Sequence, residues 1–582
     1  MPIRLASVGS LLVAYLRPQW QRSLLLSVVL VAAAGLQVAN PQIIREFIDE
    51  ATGGSASPDR LATTALLFIG IALVQHVLAV GATYVGQLIG WTATNALRAD
   101  LTLHVLRLDL SFHKTKTPGE LIERIDGDVT QLATFFSEFA VRIVGSLLLL
   151  IGVLVVLWLT NRWAGLVLTL YAAIVLATLS RLHAFAIPCW RAARQASAEL
   201  FGFIEERLAG TVDLRASGAT SYVMRGLLQR TRARYDFGRH ARVRGSVPWA
   251  VNLFYSTVGY SVAFVLAAYL YGQGQLTLGT AFLIYYYTVL IFQPLNVITR
   301  QVEDFQKAGA SISRVQDLLA TQSTLADGPG AVFPTGPLAV EFDHVSFGYG
   351  DDEPVLDDLT FQVAPGAVLG LLGRTGSGKT TISRLLFRLY DAETGQVRLG
   401  GLDVRRAKLG DLRGRIGLVT QDVQLFNATL RDNLTFFDRS IGDEQILVAL
   451  ADLGLEEWCQ ALPRGLDTIL GAGGSGVSAG EAQLLAFTRV FLKQPGLVIL
   501  DEASSRLDPS TERLVDHAVD QLLRGRTGMI IAHRLATIQR ADAILILEDG
   551  LIAEQGPRAA LAADPDSRLA SLLRAGFEEV LA

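Results

Sequence analysis

The sequence contains few of the residues that mark disulfide-rich, metal-binding or nucleic-acid-binding proteins. Only two cysteines, Cys189 and Cys459, occur in 582 residues, which excludes a disulfide framework and a cysteine metal site and favours exposure to a reducing cytosol. The net charge of −4 is small for this length, so no nucleic-acid partner is expected. No small-residue cleavage site precedes the second apolar run, so no removable signal peptide is predicted.

Charged residues are scarce, and their scarcity is concentrated in the first half of the chain. They make up 18% of the sequence against 51% apolar residues, and residues 23–44, 61–97 and 245–299 carry no charge at all, while 143–180 carry only Arg162. A bilayer core needs roughly 20 apolar residues per helix, and Asn161–Trp163 and Gly272–Gln275 divide the two longest runs. The pattern predicts an all-α domain over residues 1–320, with six spans at about 23–44, 61–90, 143–160, 163–180, 248–271 and 277–299.

Arginine placement predicts the orientation of these spans. The segment 181–244 holds twelve arginines against five acidic residues, so the loop between the fourth and fifth spans is expected on the cytosolic side, together with both termini. Apolar residues at helical spacing, such as Leu97, Leu101 and Val105, predict helices that extend into the cytosol. Polar breaks at 111–120 and 210–221 fit either solvated loops or short elements that contact a cytosolic domain, and periodicity alone leaves this open.

A glycine- and proline-rich stretch over residues 321–337 cannot continue a helix and is predicted to be a linker. Alternating apolar and polar residues begin directly after it, at Val340 and Phe342, as expected for strands. Residues 338–582 are therefore predicted to form a soluble α/β domain.

The strongest motif is GRTGSGKT, which lies between an apolar run at Val368–Leu372 and a helical pattern. This is the strand–loop–helix context of a phosphate-binding loop. Glycines allow backbone N–H groups to point at phosphate oxygens, a lysine neutralises the outer phosphates, and a hydroxyl ligates Mg²⁺. The predicted ATP-binding residues here are Gly373, Arg374, Thr375, Gly376, Ser377, Gly378, Lys379, Thr380 and Thr381, with Thr380 also a Mg²⁺ ligand.

Three further residues become informative because this loop precedes them in the sequence. The apolar strand Leu497–Leu500 ends in Asp501 and Glu502, which are placed to hold Mg²⁺ through water and to polarise the attacking water, respectively. His533 follows the apolar run Met529–Ala532, and in this order it is predicted to contact the γ-phosphate.

Together these motifs make the whole chain resemble an exporter-type half-transporter of the ATP-binding cassette (ABC) family. The resemblance implies that Tyr349 stacks on adenine, that Gln421 touches Mg²⁺, and that Arg124–Val129 follows a first coupling helix, which favours a contact role for 111–120 and 210–221. It further implies ATP and Mg²⁺ as cofactors, a multi-pass protein of the plasma or inner membrane, and alternating-access export of an apolar or amphipathic small molecule, lipid or peptide. An importer built on the exporter fold and a regulatory or channel-like subunit are the alternatives.

The sequence departs from the family at its signature motif, usually LSGGQ. Here Val477 is followed by Ser478, Ala479, Gly480 and Glu481, so a carboxylate replaces a neutral amide beside the phosphate bound by the partner subunit. Like charges at short range are expected to weaken the closed ATP sandwich. Arg506 also replaces a small residue in the following loop. Glu481 is either a tolerated variant in a homodimer or the mark of a heterodimer with a second half-transporter, and we favour the heterodimer.

Overall fold

The computed structural model of the chain describes residues 13–53, 57–350, 354–471, 476–501, 509–532 and 535–575. Within them the chain forms two compact units, one of residues 1–107 and 117–321 and the other of residues 108–116 and 322–582. The segment Leu108–Lys116 belongs to the second unit, where Asp109 contacts Thr324 and Lys114 contacts the Tyr349 ring.

The first unit is helical. Its elements are α1 (Trp20–Thr52), α2 (Pro58–Arg107), α4 (Pro118–Ile122), a π-helix (Glu123–Asp128), α5 (Val129–Glu138), a second π-helix (Phe139–Val144), α6 (Gly145–Thr160), α7 (Arg162–Ala209), α8 (Thr211–Ala216), α9 (Thr220–Gly272) and α10 (Leu278–Ala320), while α3 (Leu110–Thr115) belongs to the second unit. Among the described residues six helical segments are long and apolar enough to cross a membrane: Val13–Thr52, Pro58–Arg107, Pro118–Thr160, Arg162–Ala209, Thr220–Gly272 and Leu278–Thr299. Five of them contain a predicted span, and the sixth, Leu278–Thr299, begins one residue after the start of the predicted span 277–299.

Polar caps define the turns that the sequence places between spans. The Asn161 side chain accepts hydrogen bonds from the backbone N–H groups of Trp163 and Ala164, at 2.9 and 3.2 Å, and so starts α7. Such a cap satisfies donors that have no partner inside the helix. Asp49, in the last turn of α1, accepts from Thr277 Oγ1 and Gly279 N, both at 2.8 Å, which ties the C-terminal end of α1 to the N-terminal end of α10.

A buried ion pair joins the segment after α4 to the cytosolic part of α10. Asp128 is only 2% exposed and accepts from Ser311 Oγ and Arg314 Nε, both at 2.8 Å. A buried carboxylate is stable only when such donors compensate its lost hydration. The segment Arg124–Val129 is therefore held to α10 by contacts that its sequence alone does not predict.

The second unit contains three sheets. Its strands are β1 (Val340–Phe347), β2 (Leu356–Val363), β3 (Val368–Gly373), β4 (Thr394–Leu399), β5 (Leu402–Asp403), β6 (Ile416–Val419), β7 (Ala428–Thr429), β8 (Ile469–Leu470), β9 (Leu497–Asp501), β10 (Thr527–Ile531), β11 (Ala543–Glu548) and β12 (Leu551–Pro557). The largest sheet has the order β12-β11-β3-β10-β9-β6, with β12 antiparallel and the other five parallel. An antiparallel sheet β2-β1-β4-β5 and the pair β7-β8 complete the set.

Helices cover the parallel sheet, whose strands are buried apolar runs as expected when both faces are packed. They are α11 (Lys379–Leu386), α12 (Leu409–Arg415), α13 (Leu430–Thr435), α14 (Asp443–Asp452), α15 (Glu456–Ala461), α16 (Ala479–Lys493), α17 (Pro509–Leu523), α18 (Leu535–Ile538), α19 (Arg558–Ala563) and α20 (Arg568–Ala575). The predicted fold class, a six-helix transmembrane domain followed by an α/β ATPase domain, is confirmed.

Candidate functional site

The predicted phosphate-binding loop lies between β3 and α11 and depends on glycine. Gly373, Gly376 and Gly378 have φ values of 147°, 90° and 103°, in a region that residues with a Cβ rarely adopt. A Cβ on Gly373 would lie 2.3 Å from the carbonyl oxygen of Leu547. Gly378 begins α11 without a side-chain cap, so the first N–H groups of this helix are left for an anion.

The polar side chains of this loop are arranged as an anion cradle. Lys379 is buried, and its ammonium donates to the carbonyl oxygens of Gly373 and Arg374 at 2.6 and 2.9 Å. Ser377 is 5% exposed, and its hydroxyl has no hydrogen-bond partner among the residues that the structure describes. Since an unpaired buried hydroxyl is unfavourable, the loop is built for a ligand that supplies the missing acceptor.

Two of the other predicted chemical residues, Asp501 and Gln421, lie at the same edge of the sheet as the loop. Asp501 ends β9, and Gln421 is exposed two residues after β6, so both lie at the carboxyl ends of parallel strands, as the loop does after β3. Ligands of open α/β sheets bind at this edge. Glu502 directly follows β9, and His533 follows β10, but both lie outside the described residues, as does Arg506.

Tyr349 is surrounded by groups that fix its ring. Its hydroxyl lies 3.0 Å from Thr381 Oγ1 and accepts from Arg384 Nη1 at 2.9 Å. The ammonium of Lys114, on α3, lies 3.7 Å from the ring centroid. One face of the ring is therefore covered by a cation, and adenine stacking requires the opposite face or displacement of Lys114.

Asp109 is a second contact of α3 that the sequence reasoning missed. It caps α3 by accepting from Phe112 N at 3.1 Å, and its other oxygen accepts from the backbone N–H and hydroxyl of Thr324 at 2.8 and 2.9 Å. Burial opposes ionisation, but hydrogen bonds from Ser111, Thr324 and Phe112 outweigh it and lower the pKa of Asp109 to about 2. An aspartate directly before a short helical pattern is an N-cap signal that the sequence does contain.

We expect the Asp109→Ala substitution to release α3 from the linker. Loss of a cap and of charge-assisted hydrogen bonds is worth about 2–3 kcal/mol of local stability. Hydrogen exchange should show lost protection at the amides of Phe112 and Thr324, which are the two backbone donors. Because the folded pKa is depressed, the stabilisation is complete above the ordinary aspartate range and is lost only as the pH falls toward 2.

The wild-type amides should accordingly show the same protection at pH 4.5 and pH 7, after correction for intrinsic exchange rates. The Asp109→Asn variant, which keeps an acceptor oxygen but no charge, should lie between wild type and Asp109→Ala at both pH values. Unchanged protection in Asp109→Ala would contradict this role of the carboxylate.

The altered signature motif forms a helix cap. The Ser478 hydroxyl accepts from Glu481 N at 3.2 Å, and the Glu481 carboxylate accepts from Ser478 N at 2.6 Å, which is a capping box at the start of α16. Ala479 is exposed and Gly480 is buried in the first turn. Glu481 thus caps the backbone of the helix as a glutamine could. Its negative charge lies at the helix N-terminus, which is the end that attracts anions.

Comparisons with known proteins agree with this architecture. Residues 24–295 match the family model for the ABC transporter transmembrane region, and residues 356–505 match the ABC transporter model. The chain is similar to an ATP-dependent lipid A-core flippase of Ralstonia nicotianae, with 30% identity over 97% of this chain and 95% of the relative. A fatty acid ABC transporter ATP-binding/permease protein of Mycobacterium bovis is 31% identical over 80% of this chain and 74% of the relative.

Among solved structures, a bacterial Atm1-family ABC exporter with ATP bound has a TM-score of 0.81 and 26% identity, covering 97% of this chain and 98% of that one. These matches cover the transmembrane half and the ATPase half in the same order. They therefore assign the whole chain and not only one of its halves. The chain belongs to the ABC transporter family, as an exporter-type multi-pass protein of the inner membrane whose cytoplasmic domain binds and hydrolyses ATP to drive transport.

Proposed function

We propose that this exporter moves a lipid-like amphiphile, and the observation that carries the proposal is a cavity between α9 and α10. The cavity has a volume of about 810 Å³ and is lined by aromatic and aliphatic side chains, among them Tyr260, Phe264, Tyr271, Phe282 and Tyr285. This size and lining suit an apolar ligand with few polar groups. The names of the flippase and the fatty acid transporter point to the same cargo class.

The aromatic residues of the last two spans divide into two groups in the structure. Tyr287 is fully buried, and its hydroxyl donates to Val38 O at 2.7 Å and accepts from Gln42 at 3.0 Å, so it serves packing. Tyr260 and Tyr285 instead line the cavity and contact each other with ring centroids 6.0 Å apart. Tyr260 and Tyr285 are therefore accessible to a cargo molecule in the cavity, whereas Tyr287 is not.

Replacement of Tyr260 and Tyr285 by alanine should therefore remove lipid stimulation of ATP hydrolysis in proteoliposomes, while basal hydrolysis persists. Burial of two aromatic rings is worth several kcal/mol, so the lipid concentration for half-maximal stimulation should rise at least tenfold. The Tyr287→Phe variant is the control, because it keeps the packed ring. Equal stimulation of the double variant and wild type would show that the cavity does not take part in transport.

We further propose roles for the residues around the phosphate loop. Lys379 and the loop amides bind the β- and γ-phosphates, Tyr349 stacks on adenine, Glu502 polarises the attacking water, and His533 contacts the γ-phosphate. Ser478 and Gly480 contact the phosphate of the partner subunit's nucleotide. ATP binding then closes the paired domains and hydrolysis reopens them, because loss of the γ-phosphate removes the contacts that favour closure.

Mg²⁺ fits the donors present, although the described residues contain no cluster of three or more His, Cys, Asp or Glu. Mg²⁺ prefers few protein oxygens plus phosphates and water, and the Thr380 hydroxyl, the Gln421 amide oxygen and the Asp501 carboxylate, acting through water, are donors of this kind. When bound, the ion neutralises phosphate charge. The chain's own contribution is to hold the polyphosphate against the α11 N-terminus, which the unpaired Ser377 hydroxyl supports.

The heterodimer stays a prediction, supported by the negative charge of Glu481 beside the position of the partner's nucleotide. The purified chain alone is then expected to hydrolyse ATP slowly. Vigorous, transport-coupled hydrolysis by the purified homodimer would contradict it. The alternatives of an importer and of a channel-like subunit are not favoured by relatives that match both halves of the chain.

The Glu481→Gln substitution is expected to raise ATP turnover of the purified chain about tenfold. Glutamine keeps an oxygen for Ser478 N but removes a charge whose repulsion of a phosphate is worth on the order of 1–4 kcal/mol at contact distance. Steady-state hydrolysis measures the effect. The Glu481→Ala variant, which loses both the charge and the cap, should gain less, and no gain in Glu481→Gln would show that the carboxylate does not oppose closure.

A further inference from the structure

One exposed face of α9 changes from cationic to apolar along its length. Arg239, Arg242, Trp249 and Leu253 follow at offsets of 3, 10 and 14 residues, which keeps them within about 80° of one another around a helix. All four are exposed, Trp249 by 64% and Leu253 by 54%. We call these four residues the α9 stripe.

Helix α7 contributes a further arginine at the same height. Arg244 Nη1 lies 3.2 Å from Cys189 Sγ, and the Arg244 guanidinium lies 5.7 Å from the Phe185 ring. Since α7 and α9 run antiparallel, Arg191, two residues after Cys189, lies level with Arg242. Arg191, Arg239, Arg242 and Arg244 thus lie within about two helical turns, or roughly 8–11 Å of axial height. Arg239 and Arg242 share the exposed face of the α9 stripe, whereas Arg244, two residues after Arg242, lies on nearly the opposite side of α9 and contacts α7.

Few acidic residues lie near this charge. No aspartate or glutamate occurs from residue 181 to 198 of α7 or from 237 to 272 of α9. Asp236, three residues before Arg239, is the nearest acidic residue on α9. Across the described part of the chain none of the four arginines forms an ion pair with a carboxylate. Because like charges at this spacing repel, an anion bound among them would be stabilising.

The position of the stripe fits the boundary between lipid headgroups and hydrocarbon. The uncharged run of α9 begins at Gly245, directly after Arg244, and exposed Trp190 and Trp249 mark the interfacial level at which tryptophan is enriched. An excess of arginine on the cytosolic side is enough to orient a span, whichever face of the helix the arginines occupy. Orientation alone therefore does not require that they align with exposed apolar residues.

We propose that Arg239 and Arg242 bind the anionic headgroup of an amphiphile in the cytosolic leaflet, with its chains lying along Trp249 and Leu253, and that the exporter therefore selects acidic cargo. Guanidinium groups match phosphate and carboxylate oxygens in bidentate geometry. This inference rests on the proposed lipid-like cargo and adds the chemistry of its headgroup. It also gives the cargo an entry point on the cytosolic side.

The test uses the full chain in phosphatidylcholine nanodiscs that contain tail-brominated phosphatidylglycerol or tail-brominated phosphatidylcholine. The signal is the quenched tryptophan fluorescence that disappears in the Trp249→Phe variant, which isolates Trp249. Each basic residue near an anionic lipid surface contributes about fivefold to binding. Half-maximal quenching should therefore require at least tenfold less phosphatidylglycerol than phosphatidylcholine, and Arg239→Gln/Arg242→Gln should abolish the preference.

The Arg225→Gln/Arg232→Gln variant is the matched control, because it removes the same charge from α9 at positions about 10 Å or more farther from the stripe. It should keep the preference. Equal quenching by the two lipids in wild type, or loss of the preference in the control, would overturn the site. Abolition by inorganic phosphate at matched ionic strength would show a free-phosphate site instead of a lipid site.

A second measurement, on the chain together with the half-transporter that copurifies with it, separates cargo from resident lipid. Short-chain phosphatidylglycerol should stimulate ATP hydrolysis and cross the bilayer in an ATP-dependent manner, and both effects should fall about tenfold in Arg239→Gln/Arg242→Gln. Selective quenching without ATP-dependent transfer would identify a resident lipid and overturn acidic cargo. Transfer of uncharged lipids only would leave the proposed lipid export standing and refute this inference alone.

Discussion

Replacing Lys379 with methionine is expected to lower ATP turnover by roughly 10²–10³, the usual loss when one preorganised donor to a transferred phosphate is removed. The Lys379 ammonium is buried and contacts the carbonyl oxygens of Gly373 and Arg374 within its own loop. A bound polyphosphate gives this cation a stronger partner. Methionine keeps the length of the side chain, so the loss reports on charge rather than on packing.

The variant should also fail to retain ATP after rapid desalting, because the phosphate contact is made in the bound state as well as in the transition state. Lys408→Met is the matched control, since Lys408 is exposed before α12 and lies outside the loop. Normal ATP turnover in Lys379→Met would show that the phosphates of ATP do not bind at Lys379. A similar loss in both variants would indicate that general destabilisation of the domain had been measured.

The sequence predicts the parts of this protein that depend on local pattern. Uncharged runs mark the spans because membrane helices must cover about 30 Å of hydrocarbon, and Asn161 marks a turn because it caps the helix that follows. The glycines of the phosphate loop are informative for the same reason, since each left-handed φ is a local requirement. The capping box of Ser478 and Glu481 was also readable, as serine followed three residues later by glutamate.

Contacts between distant residues could not be predicted in this way. Asp109 and Thr324 are 215 positions apart, and Asp128 and Arg314 are 186 apart. Their pairing depends on how long helices return to the same place, which no local pattern encodes. Lys114 over Tyr349 is a similar case, because an exposed lysine in a short helix carries no sign of an aromatic partner.

The Glu502→Gln substitution is expected to slow ATP hydrolysis by roughly 10²–10⁴, the range for loss of a general base, while leaving ATP bound. Glu502 follows Asp501, which ends β9 at the edge of the sheet where the phosphate loop lies. Glutamine keeps the size and an acceptor oxygen but does not take a proton from water. The paired domains should therefore remain closed on unhydrolysed nucleotide.

Two measurements on the same sample distinguish this variant from Lys379→Met. Turnover falls in both, but after desalting Glu502→Gln should retain nucleotide that is recovered as ATP, whereas Lys379→Met should retain none. The double variant should behave as Lys379→Met, because trapping requires that ATP first be held by the loop. Unaltered steady-state hydrolysis in Glu502→Gln would exclude Glu502 as the base. Retained nucleotide recovered as ADP would instead assign it a role in product release.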